Sequence, residues 1–416
     1  MENQLIDHLF RHHSGKMVSV LTRIFGLQHL DIIEDAVQDT FIKASLSWRN
    51  QQPENPEAWL NKVAKNRVLD IFRTLKTQQN NVPNINQGTQ SIAISELFLD
   101  SEIEDAQLRM IFTACHPKLD ARDRISFALK TVSGFSIKEI ASALLTKEDT
   151  IKKRLLRAKQ SIKQQQILFK IPQGKDLSSR LESVLEVLYL IFNEGFHSNK
   201  KDKLIQKELC AEAIRLTQIL LKKEITRKPK VYALCALMCF HAARLDAKTN
   251  TKNEILDLKT QNRCLWHVPL IERGNMMMHK AIETQTFSHY HYEAAIIAEH
   301  LKAPKFELTN WEKIHHWYLC LHQLQPAPIN LLNMAVVCLQ KQDFVMAKRH
   351  LDNIKEDNLQ QRAYLFYATK ADYFVQTYQL KKAIENLNIA IKKVSNTLEK
   401  NYLSKKRDAL ILKINS

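Results

Sequence analysis

Three groups of histidine or cysteine in this 416-residue chain are candidates for chemistry. His289 and His291 flank Tyr290, His315 and His316 are adjacent, and Cys235, Cys239 and His241 share one apolar segment. Imidazole and thiolate are metal ligands, so each group is a possible metal site. None has the H-E-x-x-H spacing that puts two imidazoles and a general base on one helical face. There is also no glycine-rich phosphate loop, nucleophile elbow or redox cysteine pair. The sequence therefore predicts no catalytic residue, no metal and no cofactor, and burial accounts for Cys235, Cys239 and His241. A different chemistry is written between Thr150 and Lys163. Lys152, Lys153, Arg154, Arg157, Lys159 and Lys163 fall there with no acidic residue among them. Clustered cations at helical spacing are what contact with a phosphate backbone requires.

The elements that must carry these residues are helices. Ser136-Ile137-Lys138-Glu139 is a capping box that opens a short helix ending near Leu145. Thr146, with Asp149 three residues on, is read as the cap of the next helix, which bears the basic run. Two helices joined by a short turn, with Ala141 where they approach, predict a helix-turn-helix. Upstream, Asp31 with Glu34 is read as an N-cap with an acidic third residue. Ile33, Ala36, Val37, Thr40, Phe41, Ala44 and Trp48 supply that helix's apolar stripe. Asn55 followed by Pro56 opens another helix, with Trp59, Leu60, Val63, Ala64, Val68, Ile71, Phe72 and Leu75 on its apolar side.

Composition points the same way. There are 7 glycines in 416 residues, and none after Gly274, against a usual share of about 7 %. Tight hairpins and phosphate loops need glycine's positive φ. An all-α fold is therefore expected, and Rossmann, P-loop and β-rich folds are excluded. The formal net charge of +17 calls for a polyanionic partner, and net +8 of it lies between Cys115 and Lys170. Seven cysteines without framework spacing predict a reduced, cytoplasmic protein. The N-terminal stretch has no signal-peptide core, and no apolar run is long enough to span a bilayer.

Four segments follow. Residues 1–76 form one helical domain. Residues 77–103, rich in Gln and Asn up to about residue 95 and containing Pro83 and Gly88, are read as a flexible linker. Residues 104–170 hold the helix-turn-helix, and residues 171–416 form a helical extension. Near its end, Ala335, Ala347 and Leu351 recur 36 residues later as Ala371, Ala383 and Leu387, with polar turns at Gln342-Asp343 and Tyr378-Gln379. That period predicts stacked tetratricopeptide-like hairpins.

Three motifs, in order, resemble the extracytoplasmic-function group of sigma-70 factors. DIIEDAVQDTFIKA (31–44) is similar to region 2.2, PEAWLNKVAKNRVLDIFR (56–73) to regions 2.3 and 2.4, and FSIKEIASALLTKEDTIKKRLLRAK (135–159) to region 4.2. LYLIFNEGF (188–196), LKTQNRCLW (258–266), YEAAIIAEH (292–300), TNWEKI (309–314) and PAPINLLNMAVV (326–337) resemble a subgroup with a tetratricopeptide-like C-terminal extension. Asn262 stands where that subgroup has Asp, beside Arg263.

The resemblance implies a non-enzymatic factor that binds core RNA polymerase and directs promoter-specific initiation. It places Asp35, Gln38, Asp39 and Ile42, which share one helical stripe, on the polymerase. It places Asn66, Arg67, Asp70 and Arg73, with the loop Arg49–Asn55, at the −10 element. Thr150, Lys153, Arg154 and Arg157 are expected at −35 base edges and phosphates, and Lys152 at phosphate alone. The linker could reach roughly 90 Å, against roughly 60 Å for a promoter spacer of about 17 base pairs. The extension is expected to gate promoter binding, through a regulatory protein or ligand. The competing expectation is a helix-turn-helix regulator with a helical-repeat sensor that is not a sigma factor.

Overall fold

The computed structural model describes residues 2–48, 52–78, 98–144, 146–196, 206–250, 254–356, 359 and 362–415. Among these the chain is built from eighteen α-helices and short 3-10 turns. The one β feature is an isolated bridge between Thr249 and Ile255. Two compact units divide the chain, Met1–Ile191 and Phe192–Ser416.

The first unit opens with α1 (Glu2–Phe25), α2 (Leu30–Ser47) and α3 (Pro56–Gln78). The apolar stripe of α2 is buried as its spacing requires: Ile33, Ala36, Val37, Thr40, Phe41 and Ala44. Phe10 of α1 meets Phe41 edge-on at 5.0 Å, and Phe25 packs against Phe72 of α3 at 5.7 Å. Trp59 packs edge-on against Trp48 at 5.4 Å, so it serves the core. Asn55 caps α3, its Oδ1 accepting the Ala58 amide at 3.0 Å. The start of α2 differs from expectation. His29 is its N-cap, without a side-chain bond, and Asp31 sits within the first turn. There its carboxylate favours the helix dipole and is free to pair elsewhere.

Helices α4 (Asp100–Ala114), α5 (Ala121–Thr131), α6 (Ile137–Ala143) and α7 (Glu148–Gln164) follow. The capping box is present. The Ser136 amide donates to Glu139 Oε2 at 2.8 Å, and the Glu139 amide to Ser136 Oγ at 3.2 Å. Lys147 rather than Thr146 is the N-cap of α7, and it makes no side-chain bond. Acidic Glu148 and Asp149 in the first turn take over the electrostatic part of capping. The expected linker 77–103 is narrower than read, because residues 77–78 end α3 and 100–103 begin α4. Residues 79–97, including Pro83 and Gly88, lie outside the described residues.

Helix α8 (Lys175–Phe196) shifts the boundary expected at residue 170. Arg180 Nη2 donates to the Phe112 carbonyl, Ser183 Oγ to the Cys115 carbonyl, and Arg124 Nη1 to Ser183 Oγ, each at 2.6 Å. The start of the extension therefore completes the helix-turn-helix module, and the division of the chain falls inside α8.

The second unit continues with α9 (Lys207–Lys222), α10 (Pro229–Ala242), α11 (Val268–Ala281), α12 (His289–Lys302) and α13 (Trp311–Leu324). It ends with α14 (Pro328–Gln340), α15 (Phe344–Asp352), α16 (Ala363–Gln376), α17 (Leu380–Lys393) and α18 (Thr397–Asn415). The 36-residue repeat is structural. Pairs α14–α15 and α16–α17 are hairpins whose Ala335, Ala347, Ala371, Ala383 and Leu387 are fully buried, with Leu351 at 2 %. Gln342 and Tyr378 both turn at φ 60°, so each hairpin places a non-glycine residue in the left-handed region. That is how this tail dispenses with glycine.

Candidate polymerase and promoter interfaces

Helix α2 presents Asp35, Gln38 and Ile42 to solvent, with Asp39 half-buried beside them. Ile42 is 52 % exposed, and Leu46, one turn on, is 61 % exposed. A large apolar side chain on an acidic and polar face suits a protein interface. Leu46 was missed by sequence reading, although its i+4 spacing from Ile42 is the signal that extends the stripe.

Asn66, Arg67, Asp70 and Arg73 are all exposed along α3. Arg67 joins this set to α2, its Nε and Nη2 donating to Asp39 Oδ2 at 3.0 and 2.9 Å. Arg73 pairs with Asp70 at 3.3 Å. Of the loop expected beside them, Arg49–Gln51 lie outside the described residues.

Helix α7 buries Ile151, Leu155, Ala158 and Ile162. Lys152, Lys153 and Arg157 are exposed, and Thr150 and Arg154 half-buried. Arg157 makes a two-pronged bond to Asp123 of α5, at 3.1 Å from Nε and 2.8 Å from Nη2. The bond to Asp123 raises its pKa. The Asp123 carboxylate is only 6 % exposed, so this pair fixes α7 on α5. Arg154 has its pKa lowered by burial and then by Arg122. Arg122, from α5, therefore belongs to the same basic patch. Its place next to α7 could not be read from α7's own spacing.

The same helix turns back onto α2. Lys159 Nζ lies 2.6 Å from Glu34 Oε2 and also pairs with Asp31. Burial opposes the charge on Lys159, but Glu34 and Asp31 outweigh it and hold its pKa above the ordinary value. A cleft of about 310 Å³ is lined by Asp35 and Gln38 from α2 and by Lys152, Leu155, Leu156 and Lys159 from α7. Expected polymerase-contacting and −35-contacting residues thus share one cleft. Gly15 of α1 and Gly134 permit this approach. A Cβ at Gly15 would collide with the Val132 carbonyl, and one at Gly134, where φ is 70°, with Ser14 Oγ.

The possible metal ligands separate in the second unit. His291 takes part in the capping of α12, its Nδ1 accepting the Ser288 amide at 3.0 Å. Cys235 and Cys239 are fully buried and His241 packs on Phe196 at 4.6 Å. His316 turns to Cys320 at 3.6 Å, whereas His315 turns to Cys338 at 3.9 Å. Asn262 accepts the Cys264 amide at 3.0 Å. Arg263 instead donates to the carbonyls of His300 and Ala303, at 2.9 and 2.8 Å, and lies over the Trp266 ring. Among the described residues no helix is long and apolar enough to cross a membrane.

Residues 9–78 match the family described as Sigma-70 region 2, and residues 109–162 that described as Sigma-70, region 4. Residues 180–282 match a family of unknown function, DUF6596. The chain is 33 % identical over 329 residues to an uncharacterized protein of Rhizobium meliloti, covering 78 % of this chain and 77 % of that one. It is 27 % identical over 165 residues to the ECF RNA polymerase sigma factor SigE of Mycolicibacterium smegmatis, covering 38 % of this chain and 60 % of SigE. It is 26 % identical over 168 residues to the ferric citrate uptake sigma factor FecI of Escherichia coli, covering 40 % of this chain and 92 % of FecI. No solved structure gives a significant match. Both sigma modules are present in order, and residues 180–282 of the extension match a further family; the chain belongs to the extracytoplasmic-function sigma-70 family, as a member with a C-terminal helical extension.

Proposed function

We propose that this sigma factor alternates between the closed unit described above and an open form that engages polymerase and promoter. Sigma-70 factors bind core RNA polymerase and promoter DNA and are not enzymes. In the open form, Asp35, Gln38, Asp39 and Ile42, extended by Leu46, dock on core polymerase. Asn66, Arg67, Asp70 and Arg73 meet the −10 element, where splayed bases are held by pockets and stacking. Thr150, Lys153, Arg154 and Arg157 meet base edges and phosphates at −35, and Lys152 meets phosphate.

The observation that carries this reading is the shared cleft. Lys159 bridges α7 to Asp31 and Glu34 while Asp35 and Gln38 face Lys152 and Leu156. Modules in direct contact cannot occupy promoter elements roughly 60 Å apart. Separation is therefore a step of promoter binding, and the free energy that opposes it is available for regulation. The C-terminal extension regulates that step through a protein or ligand. A regulator that binds DNA without polymerase finds no support from the region 2 module.

The test is transcription by core polymerase with the full chain and with a chain ending at Phe196, which keeps the α8 contacts to α4 and α5. The reading predicts that the short form initiates at the same start sites with altered strength. Equal strength and equal regulation from both forms would remove the gating role of the extension.

A further inference from the structure

Three ligand-bearing side chains from three helices meet in the second unit. His315 comes from α13, Cys338 from α14 and His350 from α15, and their ligand atoms all lie within 4.8 Å of one another. Cys338 Sγ is 3.9 Å from His315 Nε2, and the two imidazole rings stand edge to face at 6.2 Å. Zinc bonds of about 2.0–2.3 Å in a tetrahedron place neighbouring ligand atoms roughly 3.3–3.8 Å apart. The cluster is therefore within a small side-chain adjustment of a metal-ligand geometry.

Two observations set it apart from core packing. His350 Nε2 is buried and makes no hydrogen bond, which is costly unless something binds there. Second, the next hairpin repeats the same architecture without these groups. The positions 36 residues after Cys338 and His350 are Phe374 and Asn386, and Asn386 satisfies itself on the Lys382 carbonyl at 2.8 Å. The hairpin fold does not require a thiol and an imidazole there.

We propose that His315, Cys338 and His350 form a metal site of the zinc class, with one coordination position left for water or a small anion. One thiolate and two imidazoles suit a borderline-soft divalent cation and not magnesium or calcium. On binding, the Cys338 S–H proton leaves to solvent and an S–Zn bond forms; no oxidant or reductant is involved. The ion ties α13 to the α14–α15 hairpin. It thus makes the stability of this part of the helical array depend on metal.

The test uses the purified full-length chain, reduced and metal-free, titrated with Co(II) as a spectroscopic stand-in for Zn(II). The expected result is a near-ultraviolet thiolate-to-cobalt charge-transfer band that saturates at one equivalent and disappears when Zn(II) is added. Cys338→Ser removes the band. His350→Gln and His315→Gln each weaken Zn(II) binding at least tenfold. Cys264→Ser, at an exposed cysteine outside the cluster, leaves the band intact. Circular dichroism checks that each variant keeps its helices, and the half-buried His315 provides a variant that does not disturb the core. Absence of the band in the wild-type chain, or its survival in folded Cys338→Ser, overturns the proposal.

Discussion

Lys159 of α7 reaches Glu34 of α2 across the seam of the first unit, Nζ to Oε2 at 2.6 Å, with Asp31 as second partner. The pair lies far apart in sequence and brings the helix proposed to read the −35 element against the helix proposed to dock on polymerase. Glu34 is well shielded, whereas Asp31 is largely exposed. A partly shielded pair of this kind is worth more than a surface ion pair and less than a fully buried one, on the order of 1–3 kcal/mol. Lys159→Glu sets three carboxylates against each other and favours the open form. The expected outcome is about tenfold tighter binding to core polymerase, with a larger radius of gyration for the free chain. Unchanged values for both would mean that the seam does not govern access.

Gly15→Ala probes the same seam by shape instead of charge. Alanine favours a helix over glycine by about 1 kcal/mol, so α1 alone would gain. The new Cβ meets the Val132 carbonyl, which belongs to backbone and cannot swing away. Overpacking of this kind costs about 1–3 kcal/mol. The closed form is expected to lose, with a lower melting temperature of the first unit or visible opening in solution scattering. A variant that melts higher and keeps the wild-type radius would contradict the packing described.

On α7 the cations fall into two kinds. Lys152 and Lys153 are exposed. Lys152 lies 3.4 Å from Asp149. Arg157 is clamped on Asp123. Lys152→Ala is expected to weaken −35 binding evenly across sequences and to lower the salt slope by about 1. Asp123→Asn loosens Arg157 and the seat of α7 on α5, so it should also reduce discrimination between −35 sequences. Binding measured at two salt concentrations on cognate and altered duplexes separates these outcomes.

Much of this was legible in the sequence because the signals were local. Apolar spacing gave α2 and α3, the Ser136–Glu139 box gave α6, and the 36-residue recurrence gave two hairpins down to their turns. The caps at Asp31 and Thr146 were misplaced by one or two residues, since a carboxylate in a first turn and one at a cap look alike in sequence. What depends on contacts between distant segments was not legible. Nothing near Lys159 announces Glu34, and nothing near His315 announces Cys338 or His350. Equally, Arg180 and Ser183 anchor α8 on the backbone carbonyls of Phe112 and Cys115, at the end of α4, and carbonyl partners leave no trace in side-chain patterns.

Lys248 is expected to give the second unit a pH dependence. Burial, then nearby Arg244, lower its pKa to about 7; Cys210 and Glu399 act the other way. Its ammonium donates to the Phe196 carbonyl at 2.6 Å. In the unfolded chain the group titrates near 10.4. Between these values the unfolded chain holds more protons than the folded one, so stability rises with pH across that window. It falls again as pH drops toward 7. The slope from one such group is at most about 1.4 kcal/mol per pH unit. Denaturant unfolding of the wild type should show stabilisation from pH 7 to pH 9, and Lys248→Met should flatten it. A flat wild-type profile would show that Lys248 keeps its charge in the fold.

The central claim, sigma activity by a chain whose two promoter-reading modules must part, meets its most direct test in reconstituted transcription. Purified full-length protein is added to sigma-free core polymerase on fragments of the genome that encodes it, and transcript 5′ ends are mapped. The account predicts discrete start sites that share −10 and −35 elements, appear only with this protein, and are lost when Asp35, Gln38 and Asp39 are replaced by alanine. Transcripts indistinguishable from those of core polymerase alone, or start sites indifferent to the triple variant, would contradict it.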